Sequence, residues 1–163
     1  MRTDATLVSR KFGAASQSYE LASQSQKYFA CKLMELLSSR VSLQPELLVD
    51  VGAGTGLLTR SLAAKFSRAD VVALDFSSEM LTVLMKNAIL ENVHPRKGDL
   101  RDFVPDAPVD LVASSSTLHW VSDLRAALKH LRNWFAPSGG LLCSIMTTGT
   151  LEELYQSRRE VAV

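Results

Sequence analysis

The stretch Leu47-Leu-Val-Asp-Val-Gly-Ala-Gly-Thr-Gly56 decides the fold. Its first half, Leu47 to Val51, is a short apolar run carrying one carboxylate, Asp50, near its end, the pattern of a strand buried on both faces of a parallel sheet. Its second half sets three glycines at alternate positions, a turn that lets a ligand approach the backbone without meeting a Cβ. Leu58, Leu62 and Phe66 follow at four-residue spacing. The unit therefore reads strand, glycine turn, helix.

The same alternation continues outward. Val71-Val-Ala-Leu74 ends in Asp75, after which Ser77 is placed to N-cap a helix with Glu79 in its first turn. Leu81, Leu84, Met85 and Ala88 form the expected inner face of that helix, which should run to about Glu91. Further strands are expected at Asn92–Arg96, Val109–Ser114 and Leu141–Met146. Between the last two, Ser122 or Asp123 caps a helix with Leu124, Leu128, Leu131 and Phe135 inward, stopped by Pro137 and Gly139-Gly140. Upstream, Tyr19–Arg40 should be helical with Phe29, Leu33, Leu36 and Leu37 on one face; downstream, Leu151–Arg159 reads as a last helix. Strand and helix in turn imply an α/β fold, a doubly wound, mostly parallel sheet of five strands with right-handed crossovers. The expected organisation is a single domain: an N-terminal helical lid over 1–45, a sheet core over 46–147 and a C-terminal helix over 148–163.

Composition agrees. With 163 residues, 47% of them hydrophobic, the chain can bury about 70% of its unfolded surface and needs no disulfide or metal for its core. Eighteen Lys and Arg against 17 Asp and Glu leave a net charge of +1, too little field to draw in a nucleic acid. Cys31 and Cys143 stand in apolar contexts with no Cys-x-x-Cys and no paired His, so both are expected as small buried hydrophobes in a reducing compartment, with no metal site. No apolar run is long enough for a membrane span or a leader, and the chain reads as soluble and cytoplasmic.

In open α/β sheets ligands lie beyond the C-terminal strand ends, close to where strand order reverses. Asp50, Gly52, Ala53, Gly54, Gly56 and Asp75 all fall there. Asp75 is placed to accept two ribose hydroxyls. The third glycine comes one residue earlier than in a dinucleotide fingerprint, and Asp50 would repel a pyrophosphate but suit an ammonium group. S-adenosylmethionine, with an adenosine, an α-ammonium and no phosphate, meets these features better than NAD. No Tyr-Lys or His-Asp pair suggests a dehydrogenase. Asp99 is placed to accept from the adenine amine, with Phe76, Met80 and Leu100 around the ring.

Asp50-Val-Gly-Ala-Gly-Thr-Gly56, Ala73-Leu74-Asp75, Gly98-Asp99 and the run from Asp110 to Trp120 together resemble class I S-adenosylmethionine-dependent methyltransferases. Phe12-Gly-Ala-Ala-Ser-Gln-Ser-Tyr19, Leu118-His119-Trp120 and Gly149-Thr-Leu-Glu-Glu-Leu154 narrow the resemblance to the malonyl-[acyl-carrier-protein] O-methyltransferases of biotin synthesis, over about residues 9 to 156. The resemblance implies a Rossmann-like fold in which Asp50, Gly52, Gly54, Asp75, Asp99 and Leu100 hold the cofactor. It also implies that Tyr19 closes near the reacting methyl and that the strand end from Ser115 to Trp120 lines the acceptor side, with Ser115 also counted among the cofactor-binding residues. His119 stands where that family usually has Gln, and a His is also seen in a related mitochondrial assembly-factor branch. Tyr19 and His119 are the candidate catalytic residues, whereas His130 is expected on the solvated side of its helix.

The implied chemistry asks little of side chains. A sulfonium methyl is already activated and a malonyl carboxylate is ionised at neutral pH, so displacement needs positioning and desolvation rather than a general base. The acceptor would be a malonyl thioester on acyl carrier protein or coenzyme A. An acidic carrier should dock on cations, for which Arg10, Lys11, Arg125, Lys129, Arg132, Arg158 and Arg159 are candidates. That family carries two more strands after the fifth, so the chain reads as a C-terminally shortened member whose strand 141–146 would be a bare, hydrophobic edge. The expected state is a monomer, or a chain completed by a partner at that edge. The alternative reading is an inactive or partner-dependent S-adenosylmethionine-binding assembly protein.

Overall fold

The computed structural model describes residues 24–40, 44–87, 90–147 and 149. In chain order the elements are α1 (Gln24–Arg40), β1 (Leu47–Val51), α2 (Leu57–Lys65), β2 (Asp70–Asp75), α3 (Ser78–Asn87), β3 (Val93–Lys97), β4 (Val109–Ser115), a 3-10 turn (Leu118–Trp120), α4 (Leu124–Arg132) and β5 (Phe135–Ser144). The strands form one sheet in the order β3-β2-β1-β4-β5, every pair parallel. Order reverses between β1 and β4, so the crevice expected of such sheets opens beyond Val51, Asp75 and Ser115.

Strand alternation assigns each side chain to a face. Leu48, Val71 and Leu111 are in register and meet Ala30, Leu33 and Leu37 of α1 and Leu58, Leu62 and Ala63 of α2. Val49, Val51 and Val112 point the other way, onto Leu118, Ala127, Leu131 and Trp134. Ala73 returns to the first face and packs with Leu81 and Leu84 of α3. The central strands are thus covered on both sides, which explains their continuous apolar runs.

Polar side chains join segments distant in sequence. Asp110 Oδ2 accepts from the backbone N–H of Glu46 and Leu47 at 2.8 and 3.1 Å, fixing the start of β1 beside β4. The side-chain amide of Asn92 reaches the carbonyls of Ala63, Phe66 and Ala69, closing the end of α2. Ser77 caps α3 by accepting from Met80 N at 3.2 Å, and Asp123 caps α4 by accepting from Ala126 N at 2.9 Å. Both caps sit where the sequence placed them.

Several expectations are corrected. The fifth strand begins at Phe135 rather than Leu141, and Pro137, Gly139 and Gly140 lie inside it instead of ending α4. These residues are tolerated because β5 pairs only with β4 among the described residues, and their segment spans a register shift in which Val109 faces Phe135 while Leu111 faces Gly140. Pro95 sits on the opposite outer strand, β3, for the same reason. Leu36, Met85 and Leu128, expected inward, are 50%, 61% and 38% exposed. Their places are taken by Ala30, Met80, and Ala127 with Trp134. α3 is described to Asn87, short of Glu91. Cys31 is exposed rather than buried, while Cys143 is half-buried. His130 is no solvated residue: its Nε2 lies 2.7 Å from the Phe103 carbonyl and its ring stands edge-on to Trp134. The expected helix at Leu151–Arg159 lies outside the described residues.

Candidate functional site

Two adjoining clefts share Gly52, Asp75, Phe76, Thr117 and Trp120 and together run across the C-terminal strand ends. The first, about 730 Å³, extends over the glycine turn to Ser115 and Ser116; the second, about 640 Å³, extends between Gly98–Arg101 and Val121–Ser122.

The glycine turn is shaped by its surroundings. Gly52 N and Ala53 N donate to the Leu74 carbonyl at 2.8 and 3.1 Å, tying the turn to the end of β2. A Cβ on Gly52 would fall 2.2 Å from the Thr117 side chain, so β4's exit can approach only because that position is glycine. Gly54, at φ +55°, has nothing within 4 Å of where its Cβ would be and faces open space in the first cleft. Gly56 packs against Leu84, which a Cβ would meet at 2.9 Å.

Asp75 sits at the junction of the clefts, 7% exposed. Its Oδ2 accepts from Gly54 N and its Oδ1 from Ser77 N, each at 2.8 Å. Burial raises its pKa while these backbone donors oppose the rise. Each oxygen keeps a further acceptor site for a ligand hydroxyl.

Asp50 differs from the expectation of a carboxylate presented to a ligand ammonium. Strand register turns it toward α2, where it takes the Thr59 hydroxyl at 2.6 Å and is 1% exposed. Burial pushes its pKa up to about 7, against the Thr59 hydrogen bond, with the neighbouring Asp75 charge adding to the rise. It borders the first cleft from below, as a group poised between neutral and ionised. Asp99 is gripped by Arg101, whose Nε lies 2.9 Å from Oδ1 and whose Nη2 lies 2.5 Å from Oδ2. That pairing holds its carboxyl below the usual range.

The apolar residues span the adjoining clefts: Met80 lines the first, Leu100 the second and Phe76 both. Ser115 lines the first cleft beside Ser116, a non-glycine residue at φ +54°. The side-chain oxygens of Ser116 and Thr55 are buried without a hydrogen-bond partner among the described residues. His119 lines neither cleft; its Nδ1 is buried and has no hydrogen-bond partner among the described residues, and burial lowers its pKa. Its neighbour Trp120, 43% exposed, borders both clefts with the rings 5.1 Å apart. Thr117 falls within the Ser115–Trp120 strand end singled out from sequence, whereas Thr55 and Thr59 were missed, and only their place beside the glycine turn could have signalled them. Tyr19 and the Phe12–Tyr19 element lie outside the described residues. No group of three or more His, Cys, Asp or Glu that could hold a metal exists among the described residues, nor is any helix there long and apolar enough to cross a membrane.

The donors fit S-adenosylmethionine. Asp75 suits a ribose diol, the Gly54 position leaves room at the backbone, and the unpartnered Thr55 hydroxyl suits a polar ligand group.

Residues 48–139 match the methyltransferase domain family. Two curated malonyl-[acyl-carrier protein] O-methyltransferases are similar over nearly the whole chain. The protein from Priestia megaterium is 31% identical over 149 residues, covering 91% of this chain and 54% of its own length. The one from Xylella fastidiosa is 34% identical over 152 residues, covering 92% and 52%. The chain therefore spans about half the length of these relatives. Among solved structures, a DhpI–SAH complex superposes with a TM-score of 0.73 at 26% identity, over 88% of this chain and 69% of that one.

Proposed function

This chain belongs to the methyltransferase domain family, and from that premise we propose that it carries the S-adenosylmethionine half of a malonyl-thioester O-methyltransferase. Asp75 carries the cofactor reading: a buried carboxylate at the cleft junction, aimed by Gly54 N and Ser77 N and still able to accept from two vicinal hydroxyls. The second cleft, lined by Phe76, Asp99 and Leu100, would hold the adenine, and the turn from Gly52 to Gly54 would hold the amino-acid end. When bound, the cofactor supplies a methyl group activated by its sulfonium.

The acceptor carboxylate is proposed to enter from the Ser115–Trp120 side, the reading supported by the names of the similar curated relatives. Ser116 Oγ offers it a hydrogen bond, and Trp120 shields the reacting centre from water. Tyr19 is proposed to complete that enclosure. His119 acts by holding Trp120 rather than by touching the acceptor.

The test is calorimetry with S-adenosylmethionine on wild type and Asp75→Ala, followed by methyl transfer to a malonyl thioester. Loss of about 1–3 kcal/mol of binding in the variant is expected. Unchanged affinity removes the ribose assignment, and a chain that binds the cofactor without forming the ester is instead a binding or assembly protein.

A further inference from the structure

We propose that the outward face of α4 is the docking surface for an acidic acyl carrier protein, a proposal that rests on the thioester reading above. A shallow groove there is lined by Leu124, Arg125, Leu128, Lys129 and Arg132. Arg125, Lys129 and Arg132 are exposed, and no hydrogen bond or ion pair engages them among the described residues. Lys32, by contrast, is committed to Glu35 and Arg101 to Asp99. The one acid at this end of the helix, Asp123, is engaged in capping Ala126 N.

Helix stability does not explain the pattern. Cations in the last turn, Lys129 and Arg132, complement the helix dipole, but Arg125 in the first turn opposes it, and that turn holds no acid. Leu128, 38% exposed, stands between the cations with no apolar cover. Two leucines flanked by three cations complement a partner helix that presents acids around an apolar centre.

The position is right for delivery. Ala127 and Leu131 anchor the opposite side of α4 in the core, and His130 ties it to Phe103, so the surface is held firm. Val121 and Ser122, immediately before the helix, line the second cleft. The nine residues of α4 span only ~13 Å, less than the reach of a carrier's phosphopantetheine arm. A carrier seated on this face can therefore present its thioester to the cleft mouth.

The experiment titrates malonyl-acyl carrier protein into the full chain and into the triple variant Arg125→Glu, Lys129→Glu, Arg132→Glu, at low and high salt. Wild type should bind and weaken as salt rises. The triple variant should lose about tenfold or more in affinity, with S-adenosylmethionine binding unchanged. Leu128→Ala, at an exposed position, should lose less and leave the salt dependence intact. Equal binding by the triple variant, or a wild type that binds anionic lipid vesicles but no carrier, overturns the proposal. Methyl transfer to malonyl-coenzyme A separates the two readings. If that reaction proceeds equally in wild type and triple variant while the carrier does not bind, the docking surface fails and the function stands. If the carrier binds in a charge-dependent way and neither thioester is methylated, the function fails and the surface stands.

Discussion

The β1–β2 end of the cleft and the β4 end are built on opposite plans. At the first, polar groups are already committed: Asp75 takes two backbone N–H groups, Asp50 takes the Thr59 hydroxyl, and the turn is bonded to Leu74. Thr55 Oγ1 is the exception. At the second, Ser116 adopts a left-handed conformation, its hydroxyl and His119 Nδ1 lack partners among the described residues, and Trp120 is half open. One side is preorganised; the other holds strain and unused hydrogen-bonding capacity.

The contrast breaks most readily at the point where the two ends touch. Gly52→Ala forces a Cβ into Thr117 at a positive φ of 73° and should lower stability by about 2–5 kcal/mol, abolishing cofactor binding. Denaturant unfolding checks it, and adding Thr117→Gly should restore the part due to collision but not the part due to backbone strain. Full stability in the single variant would mean that the two ends are not in contact.

Asp50 sharpens the contrast through pH. Its folded pKa, about 7, lies above its ordinary value of 3.8, so the folded chain binds a proton that the unfolded chain has released. The associated stability is complete below the unfolded value and is lost as pH rises through 7. Between pH 5 and 8 wild type should lose about 3 kcal/mol more than Asp50→Asn, in which the side-chain carbonyl still accepts from Thr59. Parallel pH profiles for the two proteins would show that Asp50 does not titrate in this range.

The smallest effect belongs to the β4 end. Ser116→Gly relieves its backbone and should raise the melting temperature by about 2–4 °C, corresponding to about 1 kcal/mol. Methyl transfer should nevertheless fall, as it should in Ser116→Ala, which keeps the strain. Full turnover in both variants would assign the strained residue to loop geometry alone.

Much of this was legible in the sequence. β1, β2 and β4 are covered on both faces, so their apolar runs announced them, and an acid ending β2 marked the cleft. Where reading by residue type failed, neighbours were responsible. Pro137 and Gly139 signify a break until an outer strand with shifted register makes them harmless. Leu128 does not take the inward place that four-residue spacing assigns it, because α4 ends at Arg132 and Trp134 folds back onto Phe103. His119 and Trp120 adjoin in a 3-10 turn of three residues per turn, where successive side chains diverge by about 120°, and sequence offers no way to choose which faces the ligand.

The Asp110 latch has a consequence for synthesis. It joins residues 63 positions apart, and β1 cannot be flanked on its second side until β4 has left the ribosome. The glycine turn is made early, but its walls arrive late, so a nascent chain carries the signature of the cleft well before it can hold anything in it.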